Sequence, residues 1–219
     1  MLDPQLLADA DLFRSLSAAA IDRVIASSTR SALKRGDVLF DEGDDAAELF
    51  VTESGRIAIA NRSPDGRESV VALMEPGDVF GEMPLFDDMG RSALARALEA
   101  SVVHAVPYDA VRAVLEEDPV LLWGVVEMLA RRLRAMDNAL ADAVFLDVTG
   151  RTAKRLLELA GDADEFVLPV TQEELAGLVG ASRERVNKAL ASFLRLGWVA
   201  QRDRRYTITD REQLARRAR

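Results

Sequence analysis

Leu122, Val126, Leu129, Leu133, Met136 and Leu140 follow one another at intervals of 4, 3, 4, 3 and 4 residues. Apolar side chains with that spacing form the seam of a coiled coil, here across almost three heptads. A seam on a single helix demands a covering surface. A second copy of the chain, related by a two-fold axis, is the simplest one; the chain's own body is the other. Either way the stripe fixes a long helix in the second half of the sequence. The residues on its two sides differ in texture.

On the N-terminal side, residues 5–28 are predicted helical, with Leu6, Leu7, Leu12, Leu16, Ile21, Val24 and Ile25 near helical spacing. From Gly36 onwards, turn clusters recur every 7–12 residues: KRGD, DEGD, ESGR, SPDGR and EPGD, around Gly36, Gly43, Gly55, Gly66 and Gly77. Short apolar runs such as LFV, RIAIA and VVALM lie between them, and the pattern resumes at 92–107 through VVHAV. That is the layout of an antiparallel sandwich or barrel. Helical period takes over across 109–145. On the C-terminal side, Asp147 is placed to N-cap the segment VTGRTAKRLLELA, and DEFVLPV at 164–170 reads as a short strand. Two helices, 171–178 and 182–196, are joined by VGA; WVAQRDRRYTIT reads as a hairpin and DREQLARRAR as a last short helix. The predicted fold is α+β in three segments. These are an N-terminal antiparallel β-barrel of the cupin-like jelly-roll kind with leading helices (1–108), a long dimerisation helix and hinge (109–146), and a C-terminal winged helix-turn-helix (147–219).

Residue content excludes several kinds of chemistry. The chain of 219 residues has no cysteine, so disulfides, thiolate-held clusters, zinc-finger sites and cysteine nucleophiles are out of reach. His104 is its single histidine, which argues against multi-histidine metal sites and a metal-dependent enzyme of the cupin type. In a strand run it reads as an ordinarily satisfied residue. No nucleophile–base–orienter set stands out, so an enzyme is not expected. No run of about 18 apolar residues occurs and the start, MLDPQLLADADLF, is acidic, so a cytoplasmic protein without a membrane segment is expected. The net charge of −9 is unevenly shared. Residues 147–219 hold 14 basic and 11 acidic side chains, and the first 146 hold 14 and 26, so the C-terminal piece is +3 and the rest −12. An acidic sensor joined to a mildly basic nucleic-acid reader fits that division, as do two unrelated domains with solvated charge.

Within the C-terminal piece, Thr171 and Glu174 make the capping box T-x-x-E at a helix start. Ala176 is small where two helices cross, Gly180 sits in the turn, Ser182 caps the second helix and Gly197 closes it. Val186, Leu190 and Phe193 share one face; Glu184, Asn187 and Lys188 fall on the other, with Arg183 on its flank. This is the specification of a recognition helix whose first turn carries long polar side chains into the major groove. Arg183 and Lys188 suit guanine O6 and N7, and Glu184 suits the cytosine amino group. Arg202, Arg204 and Arg205 in the wing would hold phosphates. The competing reading is a solvated face on a domain that touches protein rather than DNA.

Taken in order, the barrel, GE-x-x-LF…RSA at 81–93, ARRL at 130–133, FLDVTGR at 145–151 and TQEELAGLVGASRERVNKAL at 171–190 resemble the cyclic-AMP receptor protein family, the CRP/FNR superfamily, over nearly the whole chain. GASRERVNKALASF and the ARRAR ending are most similar to its Crp (GlxR-like) branch of actinobacteria. The resemblance implies a homodimeric transcription regulator, paired through 122–140. Its affinity for double-stranded DNA would be set by cyclic AMP, an allosteric effector bound in the barrel, with no metal. A palindromic TGTGA-like site is implied, and RNA polymerase joins the expected partners. Arg183, Glu184 and Lys188 fall on base-reading positions. The last is lysine where arginine is commonest, which keeps the charge but not the bidentate fork. Thr171, Ser182, Asn187, Arg202 and Arg204 complete the expected DNA-contacting set.

GEMPLFDDMGRSA at 81–93 resembles the family's phosphate-binding cassette. The residues suit that task by their own chemistry. Gly81 lets the backbone approach a ligand, the short helix starting at Glu82 offers free N–H groups, and Pro84 is tolerated in its first turn. Arg91 and Ser92 supply a fork and a hydroxyl to a phosphate, and Glu82 an acceptor for a ribose 2′-hydroxyl. Met83 and Ala93 belong to the same expected ligand set. By resemblance Arg132 pairs with Glu82; the alternative is a structural Glu82–Arg91 ion pair. Where cyclic-AMP-binding members carry a Thr-Ser or Thr-Asn pair facing adenine, this sequence has Met136 and Asp137. Met136 is also a seam residue, while Asp137 and Asn138 can accept from an adenine amino group, so base selectivity is expected to differ. A family member that ignores ligand or answers to another one, and a nucleotide-binding module that contacts protein, are the other readings.

Overall fold

The structure, a computed structural model, describes residues 2–64, 68–203 and 205–219. Asp3 caps α1 (Pro4–Asp9), its carboxylate accepting from the Gln5 amide, and Ser17 caps α2 (Ala18–Ser27), its hydroxyl accepting from Ala20. Residues 5–28 thus carry two helices, with a link at 10–17 across which the helical spacing runs on. Ala10 leaves the helix in extended conformation, and the link is held instead by burial of Leu12 and Phe13.

Eight strands follow among the described residues: β1 (Thr29–Leu33), β2 (Val38–Phe40), β3 (Glu48–Ser54), β4 (Ile57–Arg62), β5 (Glu68–Met74), β6 (Val79–Phe80), β7 (Leu94–Ala97) and β8 (Ser101–Pro107). A short helix, α3 (Met83–Asp87), separates β6 from β7. The strands make two sheets, in orders β1-β8-β3-β6 and β2-β7-β4-β5; β8 pairs antiparallel with β1 and β3, and β7 with β2 and β4. The expected turn around Gly66 falls partly on residues outside those described. Alternation sorts the side chains. Phe50, Phe80, Val103 and Ala105 of the first sheet meet Ile57, Ala95 and Ala97 of the second in one core. Leu49, Val51, Val79 and Val106, one residue out of step, turn to the other face and pack with the helices.

α4 (Tyr108–Glu117) and α5 (Leu122–Phe145) are separated by a 3₁₀ turn at Pro119–Leu121. The helical period of 109–145 is therefore interrupted. Asp118 takes φ −136 and ψ 87, because a residue before proline is driven out of the helical region. Two apolar stripes run along this segment, one residue out of phase. Leu121, Val125 and Met128 are buried with the outer face of the first sheet. Leu122, Val126, Leu129, Leu133, Met136 and Leu140 are all exposed, Leu133 to 60% and Met136 to 69%. The chain's own body covers the first stripe and leaves the seam bare.

Apart from Glu68–Val70, which group with the second, the chain divides into two compact units inside α5, between Arg134 and Ala135. In the second, Asp147 caps α6 (Val148–Ala160), accepting from the Gly150 amide at 2.8 Å. After β9 (Glu165–Val167), α7 (Gln172–Val179) begins with the expected capping box of Thr171 and Glu174. Gly180 turns at φ +65, Ser182 caps α8 (Arg183–Leu196), and Gly197 ends it at φ +72. β10 (Val199–Arg202) and β11 (Arg205–Ile208) form the wing, β9 adds to β11, and α9 (Arg211–Arg217) packs on α6. Three cations converge on the segment leading into α6. Lys154 pairs with Asp142 at 2.6 Å, Arg151 donates to the Leu146 carbonyl at 2.7 Å, and Arg217 pairs with Asp147.

Asp147→Ala removes the cap and should destabilise the C-terminal unit by about 1 kcal/mol, read as a lower midpoint in thermal unfolding followed by circular dichroism. The Gly150 amide chiefly, and Arg217 after it, hold the Asp147 carboxyl below its usual range. A carboxyl lowered in the folded state stabilises fully above its unfolded pKa, about 4, and loses that contribution as pH falls through the folded value. The difference between wild type and variant should accordingly be complete at neutral pH and shrink steadily below pH ~4.

Candidate functional site

Gly81 follows β6 with φ +74, a conformation that favours glycine. Its missing side chain is needed a second time, because a Cβ there would lie 2.7 Å from Arg91 Nη1. Nη1 donates to the Gly81 carbonyl at 2.9 Å and to the Tyr108 hydroxyl at 3.1 Å, while Tyr108 itself donates to the Gly81 carbonyl at 2.5 Å. Burial raises the Tyr108 pKa, so the phenol keeps its proton. The guanidinium carbon stands 4.2 Å from the Phe40 ring centre and 5.3 Å from that of Phe50. Arg91 is 5% exposed, its Nε is buried without a hydrogen-bond partner, and no carboxylate among the described residues pairs with it. A cation taken out of water without counter-charge carries a desolvation cost that an anion would offset.

Glu82, at the head of α3, is 1% exposed. One carboxylate oxygen pairs with Arg132 of α5, which also donates to the Val79 carbonyl; the other is buried and unpartnered. The geometry is the Glu82–Arg132 pair implied by the resemblance, and not a Glu82–Arg91 pair. Arg132 lies four residues beyond Met128 on the buried stripe, which turns it toward the cassette. Two backbone bonds then pin the far end of the cassette to the turn before β3: Gly43 donates to the Arg91 carbonyl at 2.8 Å, and Arg91 to the Asp44 carbonyl at 2.9 Å. Gly90 has no room for a side chain there, since a Cβ would meet the Gly43 carbonyl at 2.9 Å.

The structure brings Gly81, Glu82, Met83, Arg91, Ser92, Ala93 and Arg132 into one region. Ser92 differs from expectation in detail: its hydroxyl is exposed and donates to Met83 Sδ at 3.4 Å. Met136 and Asp137 are exposed on α5 and fall beyond the boundary at Arg134. Tyr108, Phe40, Phe50 and Phe80 were not singled out by the sequence. Their rings lie on separate elements: strand register pairs Phe50 with Phe80, packing of the second sheet on the first brings Phe40 to them, and Tyr108 comes from α4. His104 is buried, with Nε2 2.5 Å from Glu53, and that bond chiefly lowers the Glu53 pKa. Among the described residues no group of three or more His, Asp or Glu is placed to hold a metal, and no helix is long and apolar enough to cross a membrane.

In the C-terminal unit α8 buries Val186, Ala189, Leu190 and Phe193 and exposes Arg183, Glu184 and Lys188. Asn187 departs from the expected outer face. It is half-buried, with Oδ1 enclosed and unpartnered, because its place three residues before Leu190 sets it on the edge of the buried stripe. The hydroxyls of Thr171 and Ser182 accept from the Glu174 and Arg185 amides, so both are engaged as caps. A groove of about 550 Å³ runs between the starts of α7 and α8 and the wing, lined by Thr171, Gln172, Glu173, Arg183, Gln201 and Asp203. Arg202 is exposed opposite Arg205, which pairs with Glu165 at 2.7 Å. Arg204 lies outside the described residues.

Residues 30–118 match the cyclic nucleotide-binding domain family, and residues 150–217 the Crp-like helix-turn-helix domain family. The CRP-like cAMP-activated global transcriptional regulator of Mycobacterium tuberculosis is 40% identical over 222 residues, covering 98% of this chain and 99% of the relative. The cAMP-activated global transcriptional regulator Vfr of Pseudomonas aeruginosa is 32% identical over 82% of this chain and 88% of its own. Among solved structures, the c-di-GMP-responsive global regulator CLP of Xanthomonas campestris superposes with a TM-score of 0.76 at 26% identity, over 88% of this chain and 99% of that one.

Arg132→Ala leaves a carboxylate that is 1% exposed with no cation beside it. Breaking a fully buried pair costs about 3–5 kcal/mol. Arg132 is itself 38% exposed, so solvent screening reduces the expected loss to about 2 kcal/mol. The loss is read as a lower urea midpoint, and Arg132→Lys should recover part of it.

Proposed function

Because the chain belongs to the CRP/FNR family of transcription regulators, we propose that it is a homodimeric DNA-binding regulator whose DNA affinity is set by cyclic AMP held in the β-barrel. The observation that carries the sensor half is the pair of buried orphans in one cassette, Nε of Arg91 and the second oxygen of Glu82. A cyclic nucleotide, when bound, supplies an anionic phosphate and a sugar hydroxyl. Arg91 is the group to hold the first and Glu82 the second, within a wall made by Gly81, Met83, Ser92 and Ala93. Arg132 carries the state of Glu82 to α5, one residue from Leu133 of the seam. Met136 and Asp137 take the base-facing positions. The relatives from M. tuberculosis and P. aeruginosa are cAMP-activated, which favours cyclic AMP; CLP, of the same fold, answers to c-di-GMP, so the fold alone does not choose the effector.

On this reading residues 1–108 sense, 109–146 dimerise and hinge, and 147–219 read DNA in the cytoplasm. Arg183, Glu184 and Lys188, exposed in the first turns of α8, reach base edges of a palindromic TGTGA-like site, with Asn187 at their border. Thr171, Ser182, Arg202 and Arg204 face phosphates, and RNA polymerase is a further partner. A gel shift on a palindromic TGTGA duplex tests the whole proposal. Binding should appear on addition of cyclic AMP. Arg91→Ala should abolish that response, and calorimetry should find its affinity for the nucleotide lower by about 2–4 kcal/mol. Equal DNA binding with and without cyclic AMP would remove it as effector, and no shift in either condition would favour a protein-contacting module.

The dimer has its own test. The bare seam of α5 predicts a dimer of wild type at micromolar concentration in sedimentation velocity. Leu133→Glu sets a charge within the seam and should give monomers or aggregates. A monomeric wild type would overturn the pairing.

A further inference from the structure

A guanidinium has five N–H donors in a fixed plane. Arg91 Nη1 donates to two neutral oxygens, the Gly81 carbonyl and the Tyr108 hydroxyl, which are themselves hydrogen-bonded to each other, so they lie on the same side of Nη1 and share one of its hydrogens. Nε is buried without a partner, and Nη2 makes no hydrogen bond among the described residues. The Nε–Nη2 edge is thereby left as a two-donor fork matched to two oxygens of a phosphate. Anchored at Nη1 alone, the plane could still roll, and a fork that rolls loses its aim. The guanidinium carbon sits over the ring of Phe40, 4.2 Å from its centre, so the ring restricts that motion. Phe40 is in turn held by Phe50 at 5.7 Å and Phe80 at 6.2 Å, and the ladder of β2 is irregular between Val38 and Phe40, the kind of bulge that re-aims a side chain. The choice of a ring has a chemical reason. A carboxylate in that place would neutralise Arg91 and occupy the donors a phosphate needs, whereas an aromatic face holds the cation and leaves its edge free.

We propose that Phe40 is a positioning residue for nucleotide binding, which locks the Arg91 plane so that its Nε–Nη2 edge meets the phosphate. The inference rests on the cyclic-nucleotide reading above and adds to it a residue that touches Arg91. In calorimetry on the full-length protein, Phe40→Leu and Phe40→Met should each weaken cyclic AMP about tenfold, and Phe40→Tyr, which keeps the face, should stay close to wild type. A second readout separates positioning from general loosening. The two phosphorothioate diastereomers of cyclic AMP place sulfur on one or the other exocyclic phosphate oxygen, and a fixed fork tells them apart. Their affinity ratio should fall toward one in Phe40→Leu and hold in Phe40→Tyr. The proposal is overturned if wild type binds cyclic AMP and Phe40→Leu binds it equally well, or loses both diastereomers in equal proportion. If wild type binds no cyclic nucleotide, the functional reading fails first and this proposal falls with it.

Discussion

A carboxylate with 1% exposure is costly to bury without a cation beside it, and for Glu82 that cation is Arg132. The pair decides more than its own stability. Arg132 is on the stripe of Leu121, Val125 and Met128, whose burial against the barrel's outer face fixes the rotation of α5. With that rotation set, the neighbouring stripe from Leu122 to Leu140 has to point outward. One helix thus uses two faces, out of phase by a residue. The barrel's grip on the first determines what the second offers to another molecule.

Arginine performs different tasks here according to what surrounds it. Arg132 meets a carboxylate and neutralises it. Arg91 meets only neutral oxygens and rings, so its charge stays available. Arg151 and Arg217 bond the segment leading into α6, one through a carbonyl and one through the capping carboxylate. Of these four, Arg91, buried and without counter-charge, has the environment of a ligand-holding group. A net charge or a count of basic residues would not distinguish these roles; their neighbours do.

Much of the fold was legible because local rules and tertiary packing agreed. The capping box of Thr171 and Glu174, the caps at Asp147 and Ser182, and the left-handed glycines at 180 and 197 are each decided within four residues of chain, and each is present. The seam was legible as a stripe, and its exposure is consistent with a separate partner. Breaks were harder. Asp118 and the link after Asp9 interrupt runs whose periodicity continues across them, since periodicity reports which side is buried and not whether the backbone is continuous. The cassette residues were legible through motif and charge. Phe40, Tyr108 and the edge position of Asn187 were not, because each depends on register or rotation relative to a distant element. An apolar letter in a strand says that it is buried, and says nothing of which arginine it lies under.

The packing of α9 on α6 joins the last helix of the C-terminal unit to its first, with Arg217 holding the carboxylate that starts α6. Contacts between the ends of a unit are the ones a growing chain makes latest. During synthesis α7, α8 and the wing can emerge while the cap of α6 still lacks its arginine. The start of α6 is therefore completed only after Arg217 has left the ribosome. A newly made copy would gain its N-terminal barrel well before the start of α6 is finished, so translation itself orders the two units in time.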